Sequence, residues 1–293
     1  MNLKYWIMAT RPRTLPAAIG PLLVGNVLAA YHREFDWLIA IASMLCAVML
    51  QIAVNLANDY FDYKSGVDTD ERLGPTRVTQ QGLLSPTAVR NAMILCLVIA
   101  VAIGQYLIYV GGWPIALLAL FAVLGALGYS GGPYPLASHG LGELAAFIYF
   151  GLVAVVGSYY IQVGDTSVAA WLLGSALGCL NAAIMLVNNT RDHATDVKAH
   201  KRTLVVRIGV DASTTLYQAM LATPFLLTCL GWLLGLLPGT TPAACVIAVP
   251  LAIGLGKQFA VTTGAALNPL LGKTAMATMA YSGLTAIGLV FAL

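Results

Sequence analysis

Long apolar runs alternate with short polar segments along the whole chain. Nine runs are roughly 18 to 22 residues long, enough for a helix to cross a hydrocarbon core about 30 Å thick. The strict apolar and polar alternation of β-barrel strands is absent. The pattern predicts an all-α integral membrane protein with nine transmembrane helices, centred near Leu22, Leu45, Val101, Leu120, Val153, Leu177, Leu227, Ala248 and Gly283.

Composition and charge agree with this class and add an orientation. Of the 293 residues, 59% are apolar and 9% charged, whereas about a quarter of residues are charged in soluble domains. With nine helices and the N-terminus inside, every Lys and Arg except Arg33 falls on one side, which is normally cytoplasmic. We therefore predict one transmembrane domain spanning residues 1–293, in the cytoplasmic (inner) membrane. The net charge of +3 reflects this topology and gives no indication of nucleic-acid binding.

Two polar segments stand out at the cytoplasmic ends of even-numbered spans. They read NLANDYFDYKSGVD (residues 55–68) and NNTRDHATD (residues 188–196). Each opens with Asn inside the last apolar turns and continues with Asp at helical spacing. This similarity suggests an internal duplication, in which two four-helix halves and a final helix surround a central cavity.

Helical spacing brings the polar side chains of each segment together. Positions 55, 58, 59 and 62 share one face if the second helix continues that far, as do positions 188, 192 and 196. Two like charges 4 Å apart repel by about 4 kcal/mol at an effective dielectric near 20, so clustered carboxylates take up protons or hold metal. A single Asp in a loop is ordinarily solvated and has no further role. Two helix faces that carry Asn and Asp on the same side of the membrane instead favour a functional site. Carboxylate and amide oxygens are suitable ligands for Mg²⁺, which is usually coordinated by one or two carboxylates together with substrate phosphates.

Basic residues accompany both acidic segments and suit a polyanion, since Arg makes bidentate contacts with phosphate. A polyprenyl diphosphate combines such an anionic head group with a tail that belongs in a membrane. The bases are Arg72, Arg77, Arg191, Lys198, Lys201 and Arg202.

The two acidic segments closely resemble the aspartate-rich motifs of the UbiA superfamily of intramembrane aromatic prenyltransferases. Three further stretches, RPRTLPAAIGPLLVG, GPTRVTQQGLLS and KRTLVVRIG, are similar to the branch that prenylates 1,4-dihydroxy-2-naphthoate in menaquinone synthesis. The resemblance covers most of residues 10–210. In the commonest form of the first motif the last Asp would fall on Gly66, whereas here Asp68 stands two places later.

The resemblance implies a Mg²⁺-dependent transfer of a polyprenyl chain to 1,4-dihydroxy-2-naphthoate, with loss of CO₂ and diphosphate. Tyr129 is expected to offer its π face to the allylic cation, although an interfacial anchor is an equally good interpretation. Arg72, Arg77, Arg191 and Lys201 are expected to bind the diphosphate. The expected metal ligands of two Mg²⁺ ions are Asn55, Asn58, Asp59, Asp62, Asp68, Asn188, Asp192 and Asp196, of which Asp59, Asp62, Asp192 and Asp196 carry the catalysis.

Several alternatives remain open at the level of sequence. Glu143 is a weaker candidate for the site, and the general base is not identified, with His139, His193 and His200 as candidates. A different acceptor, such as 4-hydroxybenzoate, haem, a chlorophyllide or a glyceryl phosphate, would leave both acidic motifs unchanged. A transporter of anionic or divalent species is also possible, because polar clusters inside membranes often mark ion pathways.

Overall fold

The computed structural model describes residues 3–65, 73–74 and 77–293, so Asp68 and Arg72 lie outside the described residues. The described residues form helices joined by turns and short loops, which confirms the all-α class. The α-helices are α1 (Leu3–Thr10), α2 (Leu15–Tyr31), α3 (Trp37–Ser65), α4 (Pro86–Gly128), α5 (Gly142–Phe147), α6 (Ala154–Val163), α7 (Val168–Lys198), α8 (Leu204–Ile208), α9 (Val210–Leu233), α10 (Thr240–Cys245), α11 (Val249–Ala260) and α12 (Asn268–Val290).

Most of these helices are built to cross a membrane. Six helical stretches in the described residues are long and apolar enough, and a seventh is obtained if α1 and α2, bent by 55°, count as one span. Large hydrophobic side chains such as Tyr109 and Trp113 are 87% and 77% exposed, so the outer surface of the helix bundle is apolar. The chain is therefore an integral membrane protein.

Helix α4 is too long for one crossing and bends in the middle. Its 43 residues correspond to about 65 Å of helix, roughly twice the hydrocarbon thickness. The break lies at Gly112, whose φ of 70° and ψ of −158° suit a residue without a side chain. Pro114 follows directly and starts the second arm.

Helix α7 lies at the centre of the bundle and packs against α9, α5, α12 and the π-helix Ile148–Val153 that joins α5 to α6. The approach to the π-helix depends on glycine. A Cβ added to Gly151 would lie 2.4 Å from the Cα of Gly178 and 2.5 Å from the carbonyl oxygen of Gly174. These three glycines therefore let two backbones touch, and the contact fixes the position of α7.

Helices α3 and α7 are long enough to carry polar residues beyond the apolar layer. They contain 29 and 31 residues, about 44 and 47 Å of helix, against a hydrocarbon core of about 30 Å. Their last turns hold the two acidic motifs. The expectation that α3 continues as helix through both Asp59 and Asp62 is confirmed.

Candidate active site

One large cavity opens between the helices, with a volume of about 1430 Å³. Its deeper wall is apolar and includes Leu22, Leu107, Ile115, Leu118 and Ile161. Its other end is polar and charged. The polar lining comes from the ends of α3, α4 and α7 and the start of α12, and includes Asn55, Asn58, Asp62, Arg77, Tyr129, Asn188, Arg191, Asp192, Asp196, Lys201 and Asn268.

Both acidic motifs thus contribute to a single cavity. Asp62 reaches it from α3, and Asp192 and Asp196 reach it from α7, although 130 residues separate Asp62 from Asp192. The expectation that the two segments face one another agrees with this arrangement. The cavity has a charged mouth and an apolar interior, which is the division that an amphiphilic substrate requires.

Each of the three carboxylates that line the cavity in the described part of the chain is paired with a base. Asp62 contacts the Nη2 atom of Arg77, whose side chain is 6% exposed. Lys201 Nζ lies 3.6 Å from Asp196 Oδ1. The third pair, Arg191 with Asp192, is described next. Pairing keeps the net charge of these groups near zero, which matters because an uncompensated charge beside a bilayer interior is costly.

Arg191 is held by several hydrogen bonds at the cavity and is only 2% exposed. Its Nε and Nη2 atoms donate to the two carboxylate oxygens of Asp192 at 2.8 and 2.6 Å. Nη2 also donates to Asn188 Oδ1 at 2.8 Å, and Nη1 to Asn268 Oδ1 at 3.0 Å. Asn268 in turn donates to the carbonyl of Leu73 at 2.8 Å. The guanidinium therefore connects the second motif to α12 and to the segment that follows the first motif.

Asp59 has a different environment from its neighbours in the motif. It is 2% exposed and does not belong to the cavity lining of the described residues. Its Oδ2 and Oδ1 atoms accept hydrogen bonds from the backbone N–H groups of Val78 and Thr79, both at 3.1 Å. These bonds anchor the turn that presents Arg77 to Asp62. The expected role of Asp59 as a metal ligand stays a prediction.

The end of α4 closes another side of the polar mouth. Tyr129 lines the cavity and donates its hydroxyl to Met185 Sδ at 3.6 Å. Burial, followed by the nearby carboxylates of Glu143 and Asp62, raises the pKa of Tyr129, so its hydroxyl stays neutral. Ser130 donates to Asn58 Oδ1 at 2.5 Å and fixes that amide. The ring of Tyr129 is thus available to the cavity, as its expected role requires.

Glu143 and the histidines lie behind or beside the cavity. Glu143 is 3% exposed, and its Oε1 accepts from Asn189 Nδ2 at 2.8 Å, so it reaches the cavity through that amide. His139 stacks on Tyr134 with ring centroids 3.6 Å apart. In the described part of the chain neither it nor His193 or His200 contributes to the cavity wall. The assignment of a general base to these histidines stays a prediction.

The cavity wall also contains polar residues that were not expected from the sequence, among them Asn268, Thr14 and Gln51. Asn268 binds Arg191 from 77 residues away, a contact that no local pattern reveals. Thr14 accepts hydrogen bonds from Gln51 and Asn55 at 3.3 and 3.0 Å. The sequence did contain a signal for Gln51. It precedes Asn55 by four residues and Asn58 by seven, and this spacing places all three side chains on the same face of α3.

The sequence of the chain matches a family model over residues 18–268, and that model describes the UbiA prenyltransferase family. The chain belongs to the UbiA prenyltransferase family. A relative from Mycobacterium tuberculosis, named 1,4-dihydroxy-2-naphthoate octaprenyltransferase, is 36% identical over 290 residues, which is 98% of this chain and 97% of the relative. The family resemblance read from the two acidic motifs is confirmed.

Solved structures of UbiA homologues have the same fold. The apo homologue from Aeropyrum pernix K1 superposes with a TM-score of 0.73 at 18% identity, over 94% of this chain and 97% of the homologue. A homologue from Archaeoglobus fulgidus bound to GPP and Mg²⁺ gives a TM-score of 0.68 at 15% identity, over 96% of this chain and 99% of the homologue. At these identities the likeness establishes the architecture of this UbiA family member.

The donor atoms of the cavity suit Mg²⁺ acting together with a phosphate. No three His, Cys, Asp or Glu side chains in the described ranges are grouped to hold a metal by themselves. Asp62, Asp192 and Asp196 instead stand around one cavity with the amides of Asn58 and Asn188. Mg²⁺ commonly binds through one or two carboxylates and completes its shell with water and substrate phosphates. The residues present therefore fit this ion, with the substrate supplying part of the coordination.

Proposed function

We propose that this UbiA family enzyme transfers a polyprenyl chain from polyprenyl diphosphate to 1,4-dihydroxy-2-naphthoate, releasing diphosphate and CO₂ and forming demethylmenaquinol. The observation that carries the proposal is the convergence of both acidic motifs and their paired bases on the mouth of one cavity with an apolar interior. The identity of 36% with a relative named for this acceptor supports the choice of ring.

The diphosphate would bind at the charged mouth. Arg77, Arg191 and Lys201 would each exchange a carboxylate partner for a diphosphate oxygen. Asp62, Asp192 and Asp196, with Asn58 and Asn188, would hold Mg²⁺, as Asp59, Asp68 and Asn55 are also expected to do from the sequence. When bound, Mg²⁺ supplies a Lewis acid that stabilises charge on the departing diphosphate. Arg72, which lies outside the described residues, is proposed as a further diphosphate ligand.

The chemistry then separates into two bond changes. The allylic C–O bond breaks with its electron pair going to the diphosphate, and the apolar wall keeps water away from the cation that remains. The π face of Tyr129 would stabilise this cation. The ring carbon that bears the carboxylate forms the new C–C bond, and CO₂ leaves its electron pair to the ring. Because a carboxylate departs as CO₂, this step consumes no external base.

The topology proposed from the sequence accompanies this function. Nine spans would result if α3, α7, α9 and α12 each cross the membrane once and the two arms of α4 cross separately. The α1–α2 pair, the α5–α6 unit and the α10–α11 unit would supply the remaining three spans. They would form two four-helix halves plus a final helix in the lipid of the inner membrane. The charged mouth would face the cytoplasm, because the Lys and Arg residues gather there.

Reconstituted protein in lipid nanodiscs tests the proposal. It is incubated with a labelled polyprenyl diphosphate, Mg²⁺ and one acceptor at a time, and products are identified by mass. We expect a product from 1,4-dihydroxy-2-naphthoate whose mass is lower, by one CO₂, than that of the product of simple prenylation. Asp192→Asn should abolish product, whereas Asp165→Asn, an exposed acid between α6 and α7, should retain it.

Three results would contradict the proposal at different levels. Product from 4-hydroxybenzoate alone would overturn the acceptor but keep the prenyl transfer. Full turnover by Asp192→Asn would overturn the site. Uptake of labelled diphosphate into sealed vesicles, without product from any acceptor, would favour a transporter.

A further inference from the structure

The side-chain carbonyl of Asn181 is a polar group in the apolar part of the cavity wall. Asn181 lies near the middle of α7, is 2% exposed and lines the cavity together with the hydrophobic residues Phe150 and Ile184. Its Oδ1 atom accepts no hydrogen bond from the described part of the chain, and it is not one of the unpaired atoms that are sealed from solvent there. Oδ1 therefore keeps accessible surface in the cavity. In ligand sites a few such polar groups orient a ligand within apolar walls.

The orientation of the Asn181 amide is set by two backbone carbonyl groups. Its Nδ2 atom donates to the carbonyl oxygen of Leu177 at 3.0 Å and to that of Phe150 at 3.4 Å. A backbone carbonyl oxygen has no proton to donate, so the NH₂ group, and not Oδ1, must face this pair. The close contact of Gly151 with Gly178 holds the π-helix against α7 and so brings the Phe150 carbonyl within reach. Both amide protons are then used, and the carbonyl is left for a ligand.

Asn181 lies directly inward of the second acidic motif on α7. It precedes Asn188 by seven residues, which is about 10 Å along the helix axis and within about 20° of the same direction. Met185 lies between the two, lines the cavity and accepts the hydroxyl hydrogen bond of Tyr129 at 3.6 Å. From the mouth inward, the order is the proposed diphosphate site at Asn188, the ring of Tyr129 beside Met185, and the carbonyl of Asn181. An acceptor ring that reaches the allylic cation beside Tyr129 would have its far edge at this carbonyl.

We propose that Asn181 Oδ1 accepts a hydrogen bond from the 4-hydroxyl of the acceptor ring, and that this bond selects a dihydroxy-aromatic acceptor and orients it towards the cation. The inference rests on the proposed function. The carboxylate of 1,4-dihydroxy-2-naphthoate has no proton to offer a carbonyl, and the neighbouring 1-hydroxyl donates to that carboxylate within the molecule. The 4-hydroxyl is the donor that remains, since the prenyl chain has none.

Equilibrium binding of two ligands to two proteins tests this contact. The ligands are 1,4-dihydroxy-2-naphthoate and 1-hydroxy-2-naphthoate, which lacks the 4-hydroxyl. Each is titrated by calorimetry into protein in nanodiscs with Mg²⁺ and inorganic pyrophosphate, and empty nanodiscs serve as the blank. Wild type should bind the dihydroxy ligand about tenfold more tightly. Asn181→Leu keeps the size of the side chain but removes the carbonyl, so the two ligands should bind it with nearly equal affinity, and its KM for polyprenyl diphosphate should stay unchanged.

Ser158→Ala is the matched control. Ser158 lines the same cavity from α6, but its hydroxyl already donates to the carbonyl of Ala154 at 2.6 Å, so the preference should survive its loss. Retention of the full preference by Asn181→Leu would overturn the inference, as would equal weakening of both ligands. Equal affinity of wild type for the two ligands would overturn it even if Asn181→Leu failed to fold. Absence of turnover by wild type with 1,4-dihydroxy-2-naphthoate would instead refute the proposed function.

Discussion

Replacing Asp59 by Asn separates an anchoring role from a metal-binding role. Asp59 accepts hydrogen bonds from two buried backbone N–H groups, those of Val78 and Thr79, at 3.1 Å each. Asn can accept only one of them and turns an NH₂ group towards the other. Hydrogen bonds to a charged group contribute about 1.5 to 3 kcal/mol, and an unsatisfied buried donor costs about 1 to 3 kcal/mol. We therefore expect the turn to be weakened by about 2 to 4 kcal/mol.

Hydrogen–deuterium exchange of peptides covering residues 77–84 measures this effect directly. A loss of 2 to 4 kcal/mol would speed exchange at Val78 and Thr79 by about 30- to 700-fold. Asp62→Asn is the matched comparison, because Asp62 contacts the side chain of Arg77 and, within the described residues 77–84, no backbone amide. It should leave exchange at these two amides far less affected while raising the Mg²⁺ concentration needed for turnover.

The opposite pattern would refute the anchoring role. If Asp59→Asn exchanged like wild type, and shifted the Mg²⁺ dependence as much as Asp62→Asn does, then Asp59 would be a metal ligand. The sequence interpretation of the first motif would be correct in that case. The hydrogen bonds to Val78 and Thr79 would then contribute little to the stability of the turn.

Three further predictions concern the metal, the helix packing and the second motif. EDTA should stop turnover and Mg²⁺ should restore it, and calorimetry should show inorganic pyrophosphate binding at least about tenfold more weakly without Mg²⁺; tight binding in EDTA would contradict this. Gly151→Ala should lower the thermal unfolding temperature, because its Cβ would lie 2.4 Å from Gly178 and overpacking of this kind costs about 1 to 3 kcal/mol. Gly283→Ala is the control and should leave the unfolding temperature unchanged, because a Cβ there meets nothing within 4 Å. Asn268→Leu should raise KM for polyprenyl diphosphate about tenfold by freeing Arg191, and an unchanged KM would exclude this positioning role.

The sequence predicted those parts of the site that depend on a single helix. Positions 188, 192 and 196 share a face by spacing alone, and all three line the cavity. On α3 the same rule groups Asn55, Asn58 and Asp62, and these three residues also line the cavity. Asp59 lies about 100° around the helix from Asn58, at the edge of the stripe. Which way an edge residue turns depends on its neighbours, and here the neighbour is a turn that begins 18 residues later.

Contacts between segments that are far apart in the chain could not be predicted from the pattern of apolar and polar residues. The partners of Arg191 include Asn268, and the amide of Gln51 donates to the hydroxyl of Thr14, 37 residues earlier. Apolar periodicity locates helices but does not say which polar atoms meet across the bundle. The ion pairs seen among the described residues of the cavity were missed for the same reason, because the bases were expected to face the diphosphate and not the acids.

These ion pairs change how binding at the charged mouth should be understood. Asp62, Asp192 and Asp196 are neutralised by Arg77, Arg191 and Lys201, so the six side chains carry no net charge together. A diphosphate that binds to one of these three bases without a cation would have to take it from its acid and leave that acid uncompensated in a low-dielectric site, and a cation alone would do the reverse to a base. When anion and cation arrive together, each released group finds a new partner of opposite charge. The same pairing that lets a charged cavity exist beside lipid therefore favours joint binding of Mg²⁺ and diphosphate.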